Sequence, residues 1–126
     1  ATPEEILACT ADLESRSEWD EMFIEGSYLK ELDEEHHICH LKFNSPSFMV
    51  TNRDICLARA VKVLDDGTIL SNHVSVDCKG CPEEKGFVRA EAAASGFYIK
   101  ALEDGSGSTI AYVIQLDPKG VIFFIY

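Results

Sequence analysis

The chain has 126 residues, 46% of them hydrophobic, with 22 Asp plus Glu against 11 Lys plus Arg, for a formal net charge of −11. Residues 1–40 hold 12 of the acids and two of the bases, so nearly all the net charge sits in the first third. This arithmetic excludes a nucleic-acid binder or a polybasic lipid anchor, which need concentrated basic surface; it also excludes disorder by composition and a membrane-spanning run of ~20 apolar residues.

Residues 3–23 read as helical. Thr2-Pro3-Glu4-Glu5 is a helix start, with Thr as N-cap, Pro at the first position and acids in the first turn. Ser15 to Ser17 interrupts the run, and Trp19, Met22 and Phe23 are expected on a second short helix. From Gly26 onward the punctuation is that of strands. Tyr28–Leu32 and His36–Phe43 read as a hairpin, and Asn44-Ser45-Pro46-Ser47 as a loop. Ile55–Val63 and Thr68–Val76 flank Asp65-Asp66-Gly67, a strong hairpin turn. Phe87–Ser95, Phe97–Glu103 and Thr109–Leu116 follow. The expectation is two short helices and about seven antiparallel strands, an α+β single domain spanning 1–126 with a curved sheet covered on one face by helices.

The five cysteines, Cys9, Cys39, Cys56, Cys78 and Cys81, form no even disulfide framework, and reduced buried thiols are expected. Cys78-Lys-Gly-Cys81 is a lone CxxC. A structural zinc site needs a second ligand pair. In a strand, His36 and His40 would stand ~13 Å apart, too far to share one ion. Neither a metal nor another cofactor is expected. No charged-then-apolar leader opens these residues, and the expected setting is cytoplasmic.

Arg59 breaks the pattern of its strand. Ile55, Leu57, Val61 and Val63 share one face, and Arg59 lies in its middle. A guanidinium there needs an acid on a neighbouring strand, an edge position from which it reaches water, or a ligand.

Several stretches then carry a resemblance over nearly the whole chain: Asp12-Leu13-Glu14 with Trp19-Asp20, Asn52-Arg53-Asp54, Ser75-Val76-Asp77, Cys81-Pro82 with Gly86-Phe87-Val88-Arg89-Ala90-Glu91, Ser95-Gly96-Phe97, and Asp117-Pro118-Lys119-Gly120. Their order and spacing resemble a START domain, the lipid-transfer domain related to steroidogenic acute regulatory protein, incomplete at both ends. The resemblance implies a helix-grip fold, in which a curved antiparallel sheet grips a long C-terminal helix and one lipid lies between them. It implies a sterol, phospholipid or ceramide-like ligand, transient membrane contact and no catalytic centre. By the same resemblance Arg59 matches an inward-facing arginine near the polar part of the ligand. His40 falls where sterol-binding members carry an acid, and the missing acid tilts the expectation towards phospholipid. His73 matches a polar inward position, against the apolar alternation of Leu70, Val74 and Val76. Trp19, Arg53, Asp54 and Arg89 are read as fold-holding. The chain reaches Val121-Ile122-Phe123-Phe124 where the gripping helix is expected to begin. If 126 residues were the entire protein, the open apolar face would favour self-association. The expected function is to bind one lipid and shield or transfer it between membranes. A lipid-sensing or interaction module of a larger protein is the alternative. A helix-grip cyclase or hydrolase is the third reading, with His36, His37, His40 and His73 as its only candidate acid/base groups.

Overall fold

The computed structural model describes residues 1–120. Its first element, α1 (Pro3–Ala11), begins where the sequence places a start. Glu5 N–H donates to Thr2 Oγ1 over 3.2 Å, and Thr2 N–H donates back to Glu5 Oε2 over 2.9 Å. This reciprocal pair satisfies two orphan donors of the first turn. The helix stops at Asp12, whose carboxylate accepts from Glu14 N–H (2.9 Å) and from the Ser15 hydroxyl (2.6 Å). A side chain that bonds the backbone this way competes with helix continuation. The expected second helix is accordingly reduced to a 3-10 turn, Arg16–Glu18. Phe23, expected on that helix, instead opens β1 and meets Phe43 edge-on at 5.9 Å between ring centres.

The strands among the described residues are β1 (Phe23–Glu31), β2 (His36–Phe43), β3 (Asn52–Val63), β4 (Ile69–Ser75), β5 (Phe87–Arg89), β6 (Glu91–Ala92), β7 (Ser95–Ala101), β8 (Ser108–Val113) and β9 (Leu116–Asp117). Antiparallel pairing gives the order β1-β2-β3-β4-β7-β8. Bulges in β1 between Phe23 and Glu25 and between Tyr28 and Lys30 bend the sheet at its edge. At Gly26, paired with Leu41 on β2, a Cβ would come within 2.8 Å of Leu41 Cδ2 and 3.1 Å of Phe23 Cζ, so a larger residue there would make these two core side chains shift.

The fully antiparallel expectation needs one correction. Pairing of β4 with β3 runs only over Leu57–Val63, which leaves the Asn52–Asp54 edge open. β5 fills that edge in parallel. The segment expected as one strand over 87–95 is therefore broken: Ala90 N–H bonds the Asp54 carbonyl (2.9 Å), and β6 pairs with β9 instead. Phe23, Cys39, Leu41, Ile55, Leu57 and Ala92 form the buried cluster on the concave face, with Leu13 and Phe43 packed against it. α1 lies against β4 and β7. No helix of the described residues is long and apolar enough to cross a membrane. The expected start of the gripping helix, at 121–124, lies outside the described residues.

Candidate functional site

The concave face encloses a hollow of about 780 Å³. Leu41, Phe43, Ile55, Leu57, Phe97 and Ile114 contribute its apolar wall. Arg59 and His73 stand in this wall, as cross-strand partners on β3 and β4. The β-strand period of two aligns Ile69, Ser71 and His73 inward, while Val74 on the other face is exposed. The apolar alternation of Leu70 and Val74 therefore marks the convex surface, and His73 faces the hollow.

Arg59 has hydroxyl partners but no acid. Its Nε donates to Ser71 Oγ over 3.1 Å, and its Nη1 donates to Tyr28 Oη over 2.9 Å. The Tyr28 hydroxyl in turn donates to the Ala11 carbonyl over 2.8 Å, which ties the arginine to the end of α1. Among the described residues no carboxylate forms an ion pair with Arg59, and its Nη2 is buried without a hydrogen-bond partner. The acid partner left open by the pattern of β3 is absent there. Opposite Arg59 on β2 stands His37, whose Nδ1 is likewise buried and unpartnered.

Burial pushes the His73 imidazole below its ordinary 6.5, and the positive charges of Arg16 and Arg59 push the same way. The neutral ring packs 6.4 Å from the ring of Tyr112, which itself stacks on Phe97 at 4.3 Å. Arg16, a second cation at the hollow, is neutralised by Asp20 at 2.9 Å and lies over the rings of Trp19, Phe23 and Phe43. Of the three arginines that line the hollow among the described residues, Arg16 is paired with Asp20, Arg53 is committed to backbone carbonyls, and Arg59 keeps a buried nitrogen, Nη2, without a partner.

His40 lies elsewhere. It does not line the hollow: its Nε2–H donates to Asp54 Oδ2 over 2.7 Å, and Arg89 also grips Asp54. The structure brings Arg59 and His73 together and separates His40 from both, because His37 and not His40 pairs with Arg59. The two hydrogen-bond partners of Arg59 in the hollow, Tyr28 and Ser71, were not expected from the sequence. Ser71 carried a usable signal, since it alternates with His73 on β4; Tyr28 carried none, because its approach depends on the bulges of β1. Arg53 donates from Nε to the Pro118 carbonyl and from Nη2 to the Lys119 carbonyl, both over 2.8 Å, with a further bond from Nη1 to the Thr51 carbonyl. It holds the Asp117–Gly120 segment against the start of β3.

The sequence model of the START domain matches residues 3–123. The Arabidopsis thaliana protein ENHANCED DISEASE RESISTANCE 2-like is 32% identical over 126 residues, 95% of this chain and 18% of its own length. The mouse StAR-related lipid transfer protein 5 is 28% identical over 127 residues, 96% of this chain and 59% of its own. The crystal structure of human STARD10 superposes with a TM-score of 0.88 at 25% identity, covering 97% of this chain and 49% of that one. The chain thus spans less than two thirds of each of these relatives. Sequence and backbone agree over the same residues, from the capped helix to the turn held by Arg53, and the chain belongs to the START domain family.

Proposed function

We propose that the hollow takes one lipid, with the acyl or ring portion against the apolar wall and the polar end at Arg59, and that the protein shields or transfers this lipid between membranes. The observation that carries the reading is the guanidinium of Arg59, set in an apolar hollow with no acid and with a buried Nη2 left over. Burying that N–H without a partner is costly, and an incoming acceptor removes the cost. Apolar burial supplies most of the affinity, at ~0.8 kcal/mol per CH2. The guanidinium fork suits phosphate, because it can serve two oxygens at once. A phospholipid is therefore favoured over a sterol. The names of relatives such as the StAR-related lipid transfer protein 5 support lipid transfer as the activity.

The test is to extract the full-length protein after purification, identify the released small molecules by mass spectrometry, and measure uptake of labelled phospholipid and labelled sterol. A bound phospholipid with uptake of the phospholipid label supports the reading. Recovery of no lipid, together with no uptake of either label, would sink it. Sterol alone would overturn the headgroup assignment.

A further inference from the structure

Cys78 and Cys81 enclose a turn away from the hollow, which neither of them lines. Cys81 N–H donates to the Cys78 carbonyl over 3.0 Å, with Lys79 and Gly80 between them. A bond of this kind holds the two Cα atoms within about 7 Å, and a disulfide needs about 4.4–6.8 Å. The Cys78 sulfur leans over the turn, since a Cβ added at Gly80 would lie 3.8 Å from it. Both cysteines are free thiols, and both border one surface cleft of about 890 Å³.

The turn is also held from outside. Arg89 donates from Nη1 to the Cys81 carbonyl over 3.1 Å and from Nη2 to the Pro82 carbonyl over 3.2 Å, while its remaining bonds go to Asp54. Carbonyls fixed in this way keep Cys81 close to Cys78 without a covalent link. A thiol presented so closely reacts as though at very high concentration.

The two sulfurs differ in access. Cys78 is half-buried and borders the cleft, whereas Cys81 is 4% exposed. A small reagent meets Cys78 first, and Cys81 needs no contact with solvent to attack a sulfur beside it. Cys56 on β3 is the other thiol near Cys81. Burial together with Cys81 pushes the Cys56 thiol well above its ordinary 9.0, so it stays protonated and does not compete. Among the described residues no group of three His, Cys, Asp or Glu could hold a metal ion. The pair is left with the chemistry of two thiols.

We propose that Cys78-Lys79-Gly80-Cys81 is a thiol–disulfide exchange site, with Cys78 as the attacking sulfur, Cys81 as the resolving sulfur and a small-molecule disulfide as co-reactant. The Cys78 thiolate attacks one sulfur of R–S–S–R, bonds to it, and releases the other as RS⁻. The Cys81 thiolate then attacks Cys78 Sγ, forms the protein disulfide and expels the second RS⁻. Two protein thiols are oxidised, R–S–S–R is reduced to two thiols, and the protons given up by Cys78 and Cys81 end on them.

Incubation of the full-length protein with glutathione disulfide, quenched with acid and read by peptide mass spectrometry, tests this. In the wild type the peptide spanning 78–81 should lose two hydrogens and carry almost no glutathione, and dithiothreitol should restore it. Cys81→Ser should instead accumulate glutathione on Cys78, with an adduct lifetime about tenfold or more longer than in the wild type, because the resolving thiol is gone. Cys78→Ser should leave Cys81 unmodified. The exposed Cys9 is the internal standard for reagent access. A lasting glutathione adduct on Cys78 of the wild type, a bond from either cysteine to Cys56, or a reduced pair in a protein whose Cys9 is modified overturns the proposal.

Discussion

Arg89 holds Asp54 at two points, with Nε donating to Oδ1 over 2.9 Å and Nη2 to Oδ2 over 2.8 Å, and Asp54 is only 1% exposed. The same guanidinium donates to the carbonyls of Cys81 and Pro82, so one residue joins β3, β5 and the loop that precedes β5. Removing one member of a buried pair leaves the other charge without compensation, at a cost of about 3–5 kcal/mol. Arg89→Ala should therefore lower stability by that order in a urea titration. Arg89→Lys, which keeps the charge but loses the two-point geometry, should fall between. A loss under ~1 kcal/mol for Arg89→Ala would remove this network from the account of the fold.

The same network predicts acid behaviour. Burial alone would raise the Asp54 carboxyl, but the hydrogen bonds from Arg89 and His40 outweigh it and hold the group below 3.8. A folded value below the unfolded one means that the unfolded chain binds the proton first. The contribution is complete above the ordinary carboxyl value and is lost as pH falls through the lowered one. Urea midpoints of wild type and Asp54→Asn should thus lie furthest apart near neutrality and converge as pH drops below about 4. A gap that stays constant with pH would show that Asp54 stabilises through shape rather than charge.

Most of the sheet was legible because its signals are local. Alternation on β3 placed Arg59 among Ile55, Leu57 and Val61, and Asp65-Asp66-Gly67 marked the turn into β4. What depends on pairing between distant strands was not legible. Nothing in the sequence says that His37, and not His40, comes opposite Arg59, since register is set by tertiary contact. The split of residues 87–95 follows from the open Asn52–Asp54 edge, which only the β3–β4 register reveals. His73 was ambiguous because the usual rule, apolar inside, fails where the inside is a ligand hollow and Val74 is left exposed outside.

Gly96 is a point where the hollow and the fold share one constraint. Its strand pairs with β4 at Asn72, and a Cβ on it would lie 2.4 Å from the Ser71 carbonyl oxygen and 2.9 Å from Asn72 Cα. Both are backbone atoms and cannot swing aside. Gly96→Ala should cost about 1–3 kcal/mol through forced backbone shifts. Because Ser71 Oγ accepts from Arg59, the same change should also weaken ligand uptake. Thermal melting and uptake measured together check this, and a fully stable Gly96→Ala would contradict the close approach of β7 to β4.

The thiols should differ sharply in reactivity. Burial pushes Cys39 up to about 11, and burial with its neighbour Cys81 pushes Cys56 up to about 12. The thiolate is the reactive form, so both should resist alkylation at neutral pH. Cys9 is exposed and Cys78 half-buried. Iodoacetamide on the folded protein, read by peptide mass spectrometry, should label Cys9 first and leave Cys39 and Cys56 unmodified until the protein unfolds.

Arg59 and His73 provide the sharpest test of the hollow. Burial is the main reason that His73 titrates below 6.5, and the charge of Arg59 adds to it. A lowered folded value means that stability from His73 is complete above its unfolded value of 6.5 and is lost as pH falls through the folded one. Arg59→Leu removes a like charge, so the His73 value should rise while staying below 6.5. Its effect on stability should stay within about 1 kcal/mol, because the lost bonds to Ser71 and Tyr28 are offset by removal of an unpartnered buried N–H. Phospholipid uptake should fall by more than this. An anionic headgroup seated at Arg59 in the wild type should also raise the His73 value, since it screens the guanidinium. NMR titration of the His73 ring with and without phospholipid reads all three states. A His73 value that rises on Arg59→Leu but stays unchanged with phospholipid bound to the wild type would mean that the headgroup does not sit at Arg59.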